Sequence, residues 1–315
     1  MPQIVTITFS PCIDKSTSVS RLVPEKKLKC AYPKLEPGGG GINVARAIKK
    51  LGGEATAIYP AGGYTGKYFA QLLAKENVPS IIIESANETR ENIIVYEESS
   101  ALQYRFGMPG NSLSEAEWKK IVQAVEDAND IKYIVASGSL PPGVPVDIYA
   151  RLASIAKKKN AKFIVDSSGE ALVNAVNAGV FLMKPNLSEL GTLAGKDYLE
   201  KNEIAFAAKQ LIAKNKCEAI VVSIGKEGAL LVTKEMEIKI TPPAVEQKST
   251  VGAGDSMVGG IVYSLCKGND LETAVQYGVA CGTAATLNAG TELCKPEDVH
   301  RLFSIIREEQ AVKIY

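Results

Sequence analysis

Strand-like apolar runs alternate with amphipathic stretches along most of the chain. The runs are IVTITF (4–9), ATAIYPAG (55–62), YIVASGS (133–139), KFIVDSS (162–168), VFLMKPN (180–186) and AIVVSIG (219–225). Helical periods fall between them at NVARAIKKL (43–51), KYFAQLLAKEN (67–77), EAEWKKIVQAVEDA (115–128), DIYARLASIAKKKN (147–160) and IAFAAKQLIAKNK (204–216). Alternation of this kind predicts an α/β fold with a mostly parallel sheet covered by helices. Two segments break it. Residues 15–36 and 91–107 (ENIIVYEESSALQYRFG) hold short alternating strands with no helix between them. They read either as a small separate sheet, a lid or dimer surface, or as a hairpin excursion. After TVGAGD the chain turns to small-residue helical runs, SMVGGIVYSLCKG and LETAVQYGVACGTAATLNAG, which suit close helix packing or close approach to a ligand. No repeat or long linker divides residues 1–315, so one domain is expected.

Composition narrows the function. The 315 residues carry 36 Lys plus Arg against 35 Asp plus Glu, a net charge of +1, which makes no case for nucleic acid or a membrane surface. No apolar run is long enough to span a bilayer, and the N-terminal run predicts no signal peptide. Six scattered cysteines without a CxxC pair read as reduced thiols of a cytoplasmic protein. His300 is the single histidine, which disfavours Ser-His-Asp and Cys-His catalysis and multi-histidine metal sites.

The candidate chemistry sits in glycine-rich loops and at strand ends. In STVGAGDSMVGG, Gly252, Ala253 and Gly254 precede a helix-like run. The unpaired N–H groups of such a helix start bind anions. Asp255, held ionised there by the helix dipole, could serve as a base, or it could be a plain N-cap. In EPGGGGINVARA, the four glycines 38–41 (Gly39, Gly40 and Gly41 lead into the helix) could admit a ligand to the backbone. Asn43 could bind its hydroxyls; the loop could equally be only flexible. A dinucleotide fingerprint would need Gly at position 43, and a Walker A loop in AGGYTGKYF would need Gly at 61 and Ser or Thr at 68, so both are excluded. Asp14 follows the first strand, where open sheets hold ligands or where a turn places an Asp. In KPNLSEL, Asn186 and Glu189 have capping-box spacing, and Glu189 could also hold Mg²⁺ through water. Gly225 and Gly228 in SIGKEG read as a hairpin turn or a phosphate contact. Arg90 and Arg105 are surface arginines or phosphate ligands.

The joint order of GGGGINVARA, KPNxxE, SxGxxG and TVGAGDSMVGG resembles the ribokinase-like sugar kinases, the phosphofructokinase B family, over nearly the whole chain. QYRFGMPG, SGSLPPG, VDSSGEAL and Gly40, where relatives acting on fructose 1-phosphate or tagatose 6-phosphate usually have Lys, resemble its 6-phosphofructokinase branch. The resemblance implies a three-layer α/β/α ribokinase-like fold with a small β-sheet lid. It also implies phosphorylation of fructose 6-phosphate at C1 by ATP, with Mg²⁺ and K⁺, in a homodimer joined through the lids. Asp255 would be the base, with Gly252, Ala253 and Gly254 as the anion hole. Asp14, Gly39, Gly40, Gly41, Asn43, Arg90, Arg105 and Ser139 would bind the sugar phosphate. Lys184, Asn186, Ser223, Gly225, Gly228 and Gly254 would contact nucleotide, and Glu189 would place Mg²⁺. Oxygens of Ser249, Val251, Ala285, Asn288, Gly290 and Glu292 would hold K⁺. The competing readings are a 1-phosphofructokinase or tagatose-6-phosphate kinase, a non-catalytic sugar-phosphate sensor, and a dehydrogenase that the missing fingerprint disfavours.

Overall fold

A computed structural model describes residues 3–214 and 216–312. The strands are β1 (Ile4–Ile7), β2 (Cys12–Val19), β3 (Lys34–Gly38), β4 (Thr56–Ala61), β5 (Ser80–Glu84), β6 (Arg90–Glu97), β7 (Leu102–Phe106), β8 (Tyr133–Ser137), β9 (Lys162–Asp166), β10 (Val180–Met183), β11 (Cys217–Ser223), β12 (Ala229–Thr233) and β13 (Glu237–Ile240). The helices are α1 (Gly40–Lys50), α2 (Gly63–Lys75), α3 (Glu115–Asp127), α4 (Ile148–Lys158), α5 (Gly169–Ala178), α6 (Leu187–Ala194), α7 (Ile204–Ala213), α8 (Ala253–Cys266), α9 (Leu271–Thr286) and α10 (Pro296–Val312).

Nine strands form the main sheet in the order β13-β12-β11-β10-β9-β8-β1-β4-β5. Pairing is parallel from β11 to β5 and antiparallel where β12 meets β11 and β13. The central runs are apolar on both faces because helices cover both. Along β8, Tyr133 and Val135 join one core while Ile134 and Ala136 join the other; β11 divides in the same way. The first core takes α1, α2, α8, α9 and α10, and the second takes α3, α4, α5 and α7. Small residues set the closest helix contact. A Cβ on Gly260 of α8 would stand 2.5 Å from the Cys281 Sγ of α9, so the two axes approach only because Gly260 has none. Among the described residues, no helix is long and apolar enough to cross a membrane.

The two segments outside the alternation form a separate four-stranded sheet, β3-β2-β6-β7, rather than an excursion of the main one. Its centre is the parallel pair β2–β6, running from Cys12 opposite Arg90 to Val19 opposite Glu97. The predicted 15–36 span is corrected: residues 20–33 form no strand. Pro24 and Pro33 lack ladder donors, and the intervening lysines favour solvent. Asn215, within the helix expected at 204–216, lies outside the described residues, as do Met1 and Pro2. Periodicity did not single out β5, whose SIIIE run is short and unalternating, or α5 and α6.

Candidate active site

The parallel strands end along one edge of the main sheet. Ser137 closes β8, Asp166 closes β9, and Lys184 follows β10. The lid contributes Asp14 from β2, Arg90 and Asn92 from β6, and Arg105 from β7. A cleft of about 410 Å³ lies between these two groups, the usual ligand position in an open α/β sheet.

Helix α8 enters this cleft. Gly252 is its N-cap at φ 71°, a left-handed backbone that glycine tolerates, and a Cβ there would press within 2.6 Å of Leu293. Asp255 is therefore the third residue of the helix and not its cap, which corrects one expectation. Its Oδ2 accepts a hydrogen bond from Asn43 Nδ2 at 2.9 Å. The expected stabilisation of its carboxylate by the helix dipole meets an opposing effect, burial. Burial pushes the Asp255 pKa up to about 7, the neighbouring Asp166 and Asp14 add to the rise, and Asn43 and Lys184 oppose it. The residue is half-buried by surface area, so the carboxylate meets the cleft while the packed groups behind it remove most of its water. A carboxyl poised near neutrality has the proton affinity a general base needs.

The other predicted residues divide by location. Asp14, Gly39, Gly40, Asn43, Arg90, Arg105, Ser139, Glu189, Val251 and Asp255 line the first cleft. Asp14 is buried and its pKa is raised by that burial, although Asn92 Nδ2 donates to it at 3.0 Å. Arg90 is braced by the Met108 carbonyl at 2.7 Å and the Ser10 carbonyl at 3.1 Å, and its buried Nε has no protein partner. Arg105 donates to the Thr250 hydroxyl just before α8. Gly41 is not part of the wall: a Cβ there would meet the Ile7 carbonyl at 2.5 Å, so this glycine serves packing against β1. Gly40 has a packing role as well, since a Cβ would stand 2.8 Å from the Gly138 nitrogen.

Glu189 and Asn186 form the full capping box of α6, with Asn186 N donating to Glu189 Oε2 at 2.8 Å and Glu189 N to Asn186 Oδ1 at 2.9 Å. Burial raises the Glu189 pKa. Among the described residues, no group of three His, Cys, Asp or Glu could hold a metal. Glu189 in a cleft of this kind suits magnesium, which keeps several waters and takes phosphate oxygens as ligands. Lys184 pairs with Asp166 at 3.2 Å beneath the start of α8. Burial alone would depress its ammonium, but the fields of Asp166, Asp255 and Glu189 outweigh it and the net shift is upward.

A second cleft of about 660 Å³ opens on the far side of the α8 start. Ser223, Gly225, Gly228 and Gly254 line it, with apolar walls from Pro243, Val245 and Met257. SIGKEG is thus both the turn between antiparallel β11 and β12 and a cleft wall. Gly228 is held at φ 89° against the Ile240 carbonyl. Lys184 and Asn186 line neither cleft wall; a Cβ on Gly254 would come within 3.3 Å of Lys184 Nζ.

The proposed cation ligands gather partly. Ser249 Oγ donates to the Gly290 carbonyl at 2.9 Å, and Val251 N donates to Ser249 Oγ at 3.2 Å. Ala285 accepts from Asn288 N at 3.2 Å near the C-terminus of α9. The Asn288 amide spends its donors on the Ala284 and Leu293 carbonyls, leaving its oxygen to accept or coordinate. The Glu292 carboxylate instead pairs with Lys34 and Lys295, both at 3.3 Å.

Sequence patterns do not single out Asp166 and Asn92, which line the first cleft, or Arg46, which stands behind Asn43. Asp166 had a signal, an acid ending the apolar strand β9. Asn92 matters through its bond to Asp14 and Arg46 through its bond to Glu76, contacts between residues distant in sequence that no local pattern carries.

Residues 7–298 match the pfkB family of carbohydrate kinases. The chain is 46% identical over 307 residues to the ATP-dependent 6-phosphofructokinase isozyme 2 of Escherichia coli strain K12, covering 97% of this chain and 99% of that protein. Crystal structures of the Escherichia coli phosphofructokinase-2, one with substrates and products and one with potassium, both superpose with a TM-score of 0.93 at 45% identity. The first covers 97% of this chain and 99% of that one; the second covers 98% and 100%. A tetrameric inhibited form of the same protein superposes at 0.92, with 44% identity and coverage of 98% and 100%. Ribokinase from Arabidopsis thaliana, 18% identical over 96% of this chain and 99% of that one, shares the fold at a TM-score of 0.74.

Proposed function

We propose that this chain, which belongs to the pfkB family of carbohydrate kinases, transfers the γ-phosphoryl group of ATP to the C1 hydroxyl of fructose 6-phosphate. The observation that carries the reading is Asp255. It stands at the helix start shared by a charged cleft and an apolar one, with a proton affinity set near neutrality. The sugar phosphate occupies the first cleft. Asp14, Gly39 and Asn43 hold its hydroxyls, Ser139 lines its path, and Arg90 and Arg105 take the 6-phosphate. ATP occupies the second cleft against Ser223, Gly225 and Gly228, with Lys184 and Asn186 near its phosphates. The C1 hydroxyl gives its proton to Asp255 as its oxygen bonds to the γ-phosphorus. The bond from that phosphorus to the ADP oxygen breaks in line. The N–H groups of Gly252, Ala253 and Gly254 meet the charge that develops.

Magnesium supplies charge neutralisation of the phosphates, and Glu189 is the residue placed to hold it through water. Ser249, Val251, Ala285, Asn288 and Gly290 supply the oxygens for potassium, an ion present in a structure of the Escherichia coli relative. Glu292 contributes its backbone only, because its carboxylate is engaged by two lysines. The unpaired thiols fit a reducing compartment, the cytoplasm. A second copy covers the lid in a homodimer: Leu102 is 55% exposed and Phe106 48%, on strands that would otherwise leave apolar surface in water.

The test is ADP release with MgATP and K⁺ across fructose 6-phosphate, tagatose 6-phosphate, fructose 1-phosphate and free sugars. Fructose 6-phosphate is expected to be preferred. Preference for fructose 1-phosphate would retain the mechanism and replace the substrate. Binding of a sugar phosphate without turnover would favour a sensor.

A further inference from the structure

Arg46 is the largest fully buried side chain among the described residues, 1% exposed, and it lines neither cleft. It lies one turn after Asn43 on α1, so the two side chains share a face. Four of its five N–H donors are committed to hydrogen bonds. Nε and Nη2 form a two-pronged bond to the Glu76 carboxylate at 2.8 and 2.7 Å. Nη1 donates to the Pro37 carbonyl at 2.7 Å and to Asn43 Oδ1 at 3.2 Å. Glu36 lies 3.7 Å from Nη2, and the Glu36 carboxylate also accepts from the Thr291 hydroxyl at 3.0 Å.

Arginine has donors and no acceptor, so it can face only the oxygen end of an amide. Contact with Arg46 therefore sets which way round the Asn43 amide lies, and its NH₂ end is directed at Asp255 Oδ2, 2.9 Å away. A rotated amide would place oxygen against a carboxylate and repel it. We infer that Arg46 is a positioning residue for phosphoryl transfer: anchored by Glu76, it fixes the Asn43 amide so that Asp255 receives a hydrogen bond and faces the reacting hydroxyl. The inference rests on the kinase reading for its link to turnover, but not for its link to Asp255.

The charged groups around Asp255 define what should change. Asp166 at the end of β9, and Asp14 on β2, raise its proton affinity; Asn43 from α1 and Lys184 after β10 lower it. The Cys12 thiol of β2 also lies within its field. Only the Asn43 contribution depends on amide orientation. Freeing that amide should therefore raise the proton affinity of Asp255, because a hydrogen bond to the ionised form is lost. Loss of one such bond to a carboxylate corresponds to an upward shift of about one to two units.

The experiment uses Arg46→Lys, which keeps a cation for Glu36 and Glu76 but cannot supply the fork. It is compared with Asn43→Ala and with the double variant in the full-length protein. The acid limb of the kcat/KM profile for fructose 6-phosphate should move up by roughly one unit or more in Arg46→Lys. It should move no further when Arg46→Lys is added to Asn43→Ala, because the effect passes through that amide. An acid limb that stays in place, or shifts that add in the double variant, would overturn the inference. A second readout needs no turnover. The carboxyl carbon-13 signal of Asp255, identified by its absence in Asp255→Asn, is titrated in each protein. An unchanged midpoint in Arg46→Lys overturns the inference even if fructose 6-phosphate is not the substrate. Absence of turnover with a shifted midpoint would reject only the kinase reading. If Arg46→Lys does not fold, Glu76→Gln at the partly exposed anchor should give a smaller upward shift of the same midpoint, and no shift would overturn the inference.

Discussion

The two clefts meet at the first turn of α8 but are built from opposite materials. The first is walled by Asp14, Arg90, Arg105, Asp166 and Glu189. The second is walled largely by Pro242, Pro243, Val245, Met257 and Val279. Two hydroxyls in the second wall are turned inward: Thr283 donates to the Val279 carbonyl at 2.8 Å and Thr286 to the Thr283 carbonyl at 2.7 Å. The contrast assigns different work to each side. Under the proposed function the charged cleft takes the sugar phosphate by opposite charge and governs a proton, and the apolar cleft takes the nucleotide by shape and excluded water. The helix start between them belongs to both, which is where a transferred group must be.

The largest expected break in this division is Asp255→Asn. It should lower kcat by about 10²–10⁴-fold while leaving both Michaelis constants within a few-fold, since it removes a base and not a binding contact. Steady-state kinetics in both substrates checks this, and activity within tenfold of the parent would refute the assignment. Arg90→Met should raise KM for the sugar phosphate by about 10–100-fold, the range for losing charge-assisted bonds, and leave the ATP KM nearly unchanged. A matching rise in both constants would mean that the clefts are not separable. Val245→Asp, which puts a carboxylate in the second wall, should do the reverse. An ATP KM about tenfold higher, or roughly 1.4 kcal/mol, is expected, with the sugar-phosphate KM spared.

The smallest expected effects follow from proton linkage. In the parent enzyme kcat/KM should rise with pH through an apparent pKa of about 7, the value to which burial pushes Asp255. The folded state keeps that proton where the unfolded chain, at an ordinary carboxylate value near 3.8, has already released it. The penalty of ionising Asp255 therefore grows as pH rises from about 4 and is fully present above about 7. Asp255→Asn should melt a few degrees higher than the parent at pH 8, and that gain should vanish as the pH falls to about 4. Equal melting temperatures at pH 8 would show that Asn43 and Lys184 offset the burial in full.

Much of the frame was legible because it repeats locally. Apolar runs bounded by amphipathic periods identified β1, β4, β8, β9, β10 and β11, with α1, α2, α3, α4 and α7 among the helices between them. The two helix-free segments marked the lid. The limit was also physical. Residues 20–33 carry apolar positions of strand type but include two prolines, and the run Ser80–Glu84 is too short to separate a strand from a loop. At the site, a glycine loop exposed Asp255; Asp14 is expected after the first strand but lies inside β2, the third residue of that lid strand. Asp166 ends the apolar strand β9, whereas Arg46 reads as an ordinary cation on an amphipathic helix. Gly40 and Gly41 looked like ligand contacts; their neighbours Gly138 and Ile7 reveal backbone approaches that only glycine allows.

The sequence by itself determined the strand–helix order, the glycine loop ahead of α8 and the presence of one acid just inside it, because each depends on residues a few positions apart. The charge state of that acid was decided only by tertiary structure. Desolvation and charge coupling sum over whatever surrounds the carboxylate, and residues 14, 43, 166 and 184 reach it from four separate elements. The orientation of the Asn43 amide was decided in the same way: its donor end meets Asp255, 212 positions along the chain.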